Sequence, residues 1–110
     1  MKNGLITSYD SISWYKDDKL HREDGPAVII FSGERIWYNH GKVHRIDGPA
    51  VEGTIGDGNI ILNKWYYYDI EYDESKHPFN VFRDEYDLQE EYEEWTFDMK
   101  MLFKLIYGGI

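Results

Sequence analysis

The chain has 110 residues, no cysteine, and 21 acidic against 12 basic side chains, for a net charge of −9. That length supports a single domain, residues 1–110, able to bury roughly 65% of its unfolded surface. The absence of cysteine excludes disulfides and thiolate metal sites and suits a reducing cytosol, and no apolar run approaches the ~20 residues of a membrane span.

In chain order, residues 1–13 read as a half-unit leading into Trp14; Met1-Lys2-Asn3-Gly4-Leu5 has no signal-peptide core. Trp14 to Val28 is then written again as Trp37 to Val51, offset by 23 residues without a gap and identical at ten of fifteen positions. A period of this length marks a stacked supersecondary unit. Each copy carries Asp-Gly-Pro, a turn signal: Asp bonds local backbone, Gly accepts positive φ and Pro cannot sit inside a ladder. Ala27–Phe31 and Arg35–Tyr38 read as strands joined at Ser32-Gly33-Glu34, the spacing of an antiparallel meander. A longer hairpin is expected to turn at Gly56-Asp57-Gly58-Asn59 and return through Ile60–Tyr68. Trp65-Tyr66 opens a third copy that lacks both His-Arg and Asp-Gly-Pro-Ala. Residues 1–72 are thus two full units between partial, capping ones.

Residues 76–107 read as helical. Pro78, Phe79, Val81 and Phe82 suggest a short helix. Leu88, Tyr92, Trp95, Met99, Leu102 and Ile106 are spaced 4, 3, 4, 3, 4, the apolar seam of a long amphipathic helix. Asp87-Leu88-Gln89-Glu90 resembles a capping box, and Glu90, Glu91, Glu93 and Glu94 would crowd its first turns, with Lys100 and Lys104 near its end and Gly108-Gly109 stopping it. Phe97, Phe103 and Tyr107 lie off the seam, and a helix apolar on two faces must bury both. The expected outcome is a homo-dimer or homo-tetramer built through Leu88, Tyr92, Trp95, Met99, Leu102 and Ile106.

Charge is uneven. Residues 14–51 balance, whereas residues 52–110 hold fourteen acids against five bases. Phosphate repels such a surface, so DNA binding by the whole chain is not expected, although a local anion site on the repeats is.

The pattern Trp-Tyr-x-x-Gly-Lys-x-His-Arg-x-Asp-Gly-Pro-Ala-Val resembles the tandem repeats of many bacteriophage and giant-virus proteins, akin to MORN-type β-hairpin repeats. The likeness covers residues 14–51 strongly and 1–13 and 52–72 weakly. Asp18 stands where the pattern has Gly, so the first hairpin is expected to differ. The resemblance implies a viral protein at work in the host cytoplasm, where small viral proteins commonly antagonise defence and some phage proteins sequester cyclic nucleotide immune signals. Repeats are scaffolds, so the motif says little about function by itself.

The duplicated Trp14/Tyr15 and Trp37/Tyr38 pairs, continued at Trp65/Tyr66, have two readings. Either Trp enters the core while Tyr stabilises cross-strand pairs, or the rings form a ladder that stacks on bases. Three successive tyrosines at 66–68 leave some rings unburied. His21-Arg22 and His44-Arg45 also have two. Arg bonds Asp24 or Asp47, or loop carbonyls, and holds the turn, with His packed under Pro; or Arg forks onto phosphate while His, Lys19 and Lys42 add charge. A metal site is not expected: His40 and His44 could share a face, but His40 has no counterpart in the first unit. Nor is an enzyme: no P-loop or nucleophile motif occurs. No cofactor is implied.

The expected fold is therefore α+β: an antiparallel β-meander of MORN-like hairpin repeats followed by a C-terminal amphipathic helix. The expected function is non-enzymatic sequestration of a small anionic ligand such as a cyclic nucleotide immune signal. Its site would be Trp14, Tyr15, Lys19, His21 and Arg22 with Trp37, Tyr38, Lys42, His44 and Arg45. The alternative is inhibition of a host protein through the acidic helix or the aromatic sheet face.

Overall fold

The computed structural model describes residues 2–55 and 60–108, the side chains of Ile55 and Ile60 excepted. The expected turn at residues 56–59 lies outside them. Among the described residues the order is β1 (Gly4–Thr7), β2 (Ser11–Lys16), β3 (Lys19–Leu20), β4 (Val28–Ile30), β5 (Arg35–Ile36), β6 (Tyr38–Asn39), β7 (Lys42–Val43), β8 (Val51–Ile55), β9 (Ile60–Tyr67) and β10 (Ile70–Tyr72), then α1 (Pro78–Tyr86) and α2 (Phe97–Tyr107). One antiparallel sheet runs β1-β2-β4-β5-β8-β9-β10, with β3 on β2 and a separate β6-β7 pair. The fold is α+β, a meander with helices at its C-terminal end.

The repeat is built from one tight hairpin used three times. Asp17-Asp18, His40-Gly41 and Tyr68-Asp69 occupy equivalent corners, all with φ between 45° and 85°. Positive φ at both central residues is the two-residue turn whose twist matches that of its strands. Asp18, at φ 68°, adopts the conformation that Gly41 adopts at 85°. The first hairpin therefore does not differ as expected: its turn is the same and Asp18 carries the left-handed strain, which Asp tolerates better than most side chains.

Each hairpin is pinned to the unit before it. The N–H of His40 donates to His21 Nδ1 at 2.9 Å, and that of Tyr68 to His44 Nδ1 at 3.0 Å. One residue on, Gly41 N–H reaches Leu20 O and Asp69 N–H reaches Val43 O, both at 2.8 Å. The N-terminal half-unit reproduces these bonds with other residues. Asp17 N–H donates to Asn3 Oδ1 at 2.9 Å and Asp18 N–H to Lys2 O at 2.9 Å. Asn3 thus stands where the full units have His, because a side-chain acceptor at that point satisfies an otherwise orphaned turn N–H.

The main hydrophobic core lies between the third unit and the helices: Tyr67, Phe79, Phe82, Trp95 and Phe103. Pro78 opens α1 at its first position, where its missing N–H costs nothing, and His77 Nδ1 accepts from Phe79 N–H. The expected long helix is not formed. Asp87 ends α1 in the left-handed conformation (φ 52°, ψ 47°), Tyr92–Glu94 is a single 3-10 turn, and Trp95 is extended. The helix starts again at Phe97, with the Thr96 hydroxyl accepting from Met99 N–H at 3.2 Å. So Asp87-Leu88-Gln89-Glu90 is no capping box, and Glu90 to Glu94 precede α2 rather than crowd its first turns. The cause is Trp95. Its ring stacks on Phe79 (5.3 Å) and packs on Phe82 (5.2 Å), which draws the chain across the core where a helix would run along it. Gly108, at φ 79°, stops α2 as expected.

Candidate functional site

The repeated motif spells out a self-contained turn. In each full unit the arginine lies flat on the unit's own tryptophan: Arg22 Cζ is 3.9 Å from the Trp14 ring centre and Arg45 Cζ is 4.0 Å from that of Trp37. Arg22 Nε donates to Asp24 at 3.0 Å and Nη1 to Pro26 O at 3.2 Å; Arg45 repeats this with Asp47 at 3.4 Å and Pro49 O at 3.1 Å. Arg45 also faces Glu52 at 3.5 Å. The glycine of Asp-Gly-Pro does not take the positive φ expected of it; it is needed for space against the guanidinium, since a Cβ on Gly48 would sit 2.7 Å from Arg45 Cζ, and one on Gly25 3.2 Å from Arg22 Cζ. Trp, Arg, Asp, Gly and Pro thus recur together because they form one stacked, charge-matched corner. Gly48→Ala is expected to lose about 1–3 kcal/mol, the range for overpacking a filled site, and Gly25→Ala clearly less. Urea denaturation of the two variants checks the order.

The third unit closes differently. His77, fully buried, presents its edge to Trp65 at 5.1 Å, and its Nε2 lies 3.0 Å from Tyr66 O. A histidine from the start of α1 thus covers the tryptophan that has no arginine of its own.

Between the first Asp-Gly-Pro turn, the second unit and the segment entering α2 lies an open cleft of about 900 Å³. Of the residues expected from sequence it gathers Arg22, Trp37, Tyr38, His44 and Arg45, and omits Trp14, Tyr15, Lys19, His21 and Lys42. Tyr15 lies under Lys2 Nζ at 5.0 Å. Lys19 and Lys42 are exposed, and Lys19 lays its stem along Gly41. The cleft adds residues that the repeat pattern did not indicate: Glu23, Asn39, Ile46, Tyr92, Glu93 and Lys100. Asn39 is invisible in the pattern because its counterpart, Lys16, differs; Tyr92 and Lys100 arrive from a distant segment.

The cleft is also lined by the carboxylates of Glu23, Asp24, Asp47 and Glu93. Arg22 and Arg45 commit Nε and Nη1 to their own turns, and the hydrogen bond from Arg22 holds the Asp24 carboxyl below its ordinary range. Asn39, Tyr38 and Tyr92 have side chains with no hydrogen-bond partner among the described residues. Burial pushes both phenols up, aided by Asp69 at Tyr38 and by Asp47 and Glu93 at Tyr92. Lys100 Nζ sits 4.9 Å from the Tyr92 ring centre and 3.5 Å from Glu93 O. His44 is 5% exposed and burial lowers its pKa to about 4, helped by His77. Its Nδ1 accepts from Tyr68, so the neutral ring carries its proton on Nε2, and that atom is buried without a partner.

Of the seam residues, Trp95 is in the core, and Leu88, Tyr92, Met99 and Leu102 pack against it; Ile106 is half exposed. The outward stripe of α2 is Phe97, Met101 and Leu105, with Phe97 and Leu105 each more than three-quarters exposed. No group of three or more His, Asp or Glu suited to a metal occurs among the described residues, and no helix there is long and apolar enough to cross a membrane. No family model, curated protein or solved structure matches the chain.

Proposed function

We propose that the protein is a non-enzymatic binding protein that sequesters a small anionic ligand bearing a flat ring, a nucleotide by class, in the cleft of the second unit. The observation that carries this reading is the convergence of His44 Nε2–H, Asn39 and Lys100, whose ammonium has no carboxylate partner among the described residues, with aromatic walls (Trp37, Tyr38, Tyr92) in one concavity, the usual composition of a small-molecule site. The viral repeat resemblance directs the choice of ligand toward cyclic nucleotide defence signals in a host cytoplasm. The arginines, which the sequence puts forward as phosphate grips, act in this reading as the frame of the site.

A thermal-shift panel of linear and cyclic nucleotides tests it. Ligand at 100 times Kd should stabilise the fold by about 2.7 kcal/mol, a rise of several degrees for a domain of this size. Recovered ligand should be chemically unchanged. Lys100→Met should weaken binding about tenfold, the loss of one charge-assisted contact, which isothermal titration would read. A flat panel sinks the proposal.

A second reading has its own observation. The stripe Phe97, Met101 and Leu105 is apolar and uncovered, beside an acidic approach at Glu90–Glu94. It suits a protein contact, either inhibition of a host factor or the homo-dimer or homo-tetramer expected above. Light scattering of Leu105→Glu against the unaltered chain tests the self-association.

A further inference from the structure

The two full units differ in what stands before the histidine. His21 and His44 hold their turns in the same way, each accepting a main-chain N–H on Nδ1. Each therefore points a protonated Nε2 in the equivalent direction. Neither Nε2 has a hydrogen-bond partner among the described residues, but in the first unit that direction holds the Glu23 carboxylate, whose Oε1 is 3.6 Å from His21 Nε2. Two residues after His44 the chain has Ile46, which lines the cleft and offers no acceptor. A buried N–H left without an acceptor costs about 1–3 kcal/mol, and such groups call for an explanation. The ring cannot turn to relieve it: Tyr68 stacks on it at 3.8 Å, Tyr67 meets it edge-on at 4.5 Å, and the Nδ1 bond fixes its rotation.

We infer that the cleft is one site per chain, not two, and that His44 is its specificity residue: Nε2–H donates to an oxygen or ring-nitrogen acceptor on a mononucleotide whose single phosphate is met by Lys100. This rests on the binding reading above and sharpens it. The duplicated motif suggests two equivalent sites, but His21 does not line the cleft, and Glu23 Oε1 stands 3.6 Å in front of its Nε2. Lys100 is the cleft's one cation without a carboxylate partner among the described residues, since Arg22 and Arg45 are matched by Asp24, Asp47 and Glu52. One available positive charge fits one phosphate better than two. A neutral donor locked in place by its neighbours selects for an acceptor and leaves a ligand that presents a donor there unpaired, which is where strong discrimination arises.

The experiment uses the full chain with adenosine and guanosine monophosphates, linear and cyclic, as probes. Imidazole nitrogen and proton resonances are followed by NMR alongside isothermal titration. The expected result is one ligand per chain, a downfield shift of the His44 Nε2–H with His21 unmoved, and an about tenfold loss of affinity in Ile46→Glu, worth one hydrogen bond. Lys19→Ala and Lys42→Ala, outside the cleft, should bind as the unaltered chain does. If a nucleotide binds but the His44 resonance stays put, or two ligands bind per chain, the inference is wrong while the binding reading stands. If no probe moves any resonance at millimolar concentration, both fall. Should Ile46→Glu fail to fold, the resonance shift in the unaltered chain decides by itself.

Discussion

Phe82→Ala is expected to destabilise the protein by about 3–5 kcal/mol, the range for removing a fully buried phenylalanine ring. Phe82 is wholly inaccessible and contacts Tyr86 at 4.7 Å, Trp95 at 5.2 Å, Phe103 at 5.3 Å and Tyr107 at 6.4 Å. It therefore joins α1, the extended Trp95 and α2 in one cluster. The two full units contribute little comparable: among the described residues their fully buried apolar side chains are Ala27 and Ala50. A loss of this size is a large part of the stability of a domain of about 110 residues. Phe82→Leu should cost less, since it leaves a smaller void. Urea denaturation followed by tryptophan fluorescence measures both, and a loss below 1 kcal/mol for the alanine variant would mean that the helices do not share this core.

Stability should also fall as the pH drops from about 6.5 to 4. His44 has its pKa lowered to about 4 by burial, and burial lowers those of His21 and His77 as well. Above about 6.5 the imidazoles are neutral in both folded and unfolded chains and contribute no pH dependence. Between that value and about 4 the unfolded chain takes up protons that the folded His44 refuses, so folding loses ground with each step down. Below about 4 both forms are protonated and the penalty is complete. For His44 alone it amounts to about 3 kcal/mol. The directions at His21 and His77 add to it. Urea midpoints at pH 7.5, 6 and 4.5, with the His44 resonance titrated in parallel, test this. Ile46→Glu supplies the control: a carboxylate opposite Nε2 favours the charged ring and should flatten the profile. A midpoint unchanged from pH 7.5 to 4.5 would show that the histidines are not buried as described.

Local chemistry was legible because it depends on near neighbours. The 23-residue period located the hairpins, Asp-Gly-Pro located the corners, Pro78 opened α1 and Gly108 closed α2, since turn conformation and helix capping are decided within a few residues. One local expectation was too cautious, at Asp18, where strand twist requires positive φ whichever residue is present. The helix expectation was too simple: the 4-3 spacing from Leu88 to Ile106 is that of a helix seam, yet Trp95 is worth more spread across Phe79 and Phe82 than kept on a helix face.

The sequence by itself determined that this is a capped hairpin array with an acidic tail, because periodicity, turn chemistry and charge are properties of the chain. It also limited the roles of His-Arg to two. Only the tertiary structure laid each guanidinium between its tryptophan and its glycine, with Nε and Nη1 bonded to Asp and Pro. Only the tertiary structure could bring Tyr92 and Lys100 to the second unit, put His77 on Trp65, and leave His44 Nε2 without an acceptor. Those outcomes depend on which surfaces pack across dozens of residues, and packing is settled by shape and desolvation summed over the whole core, which no window of sequence contains.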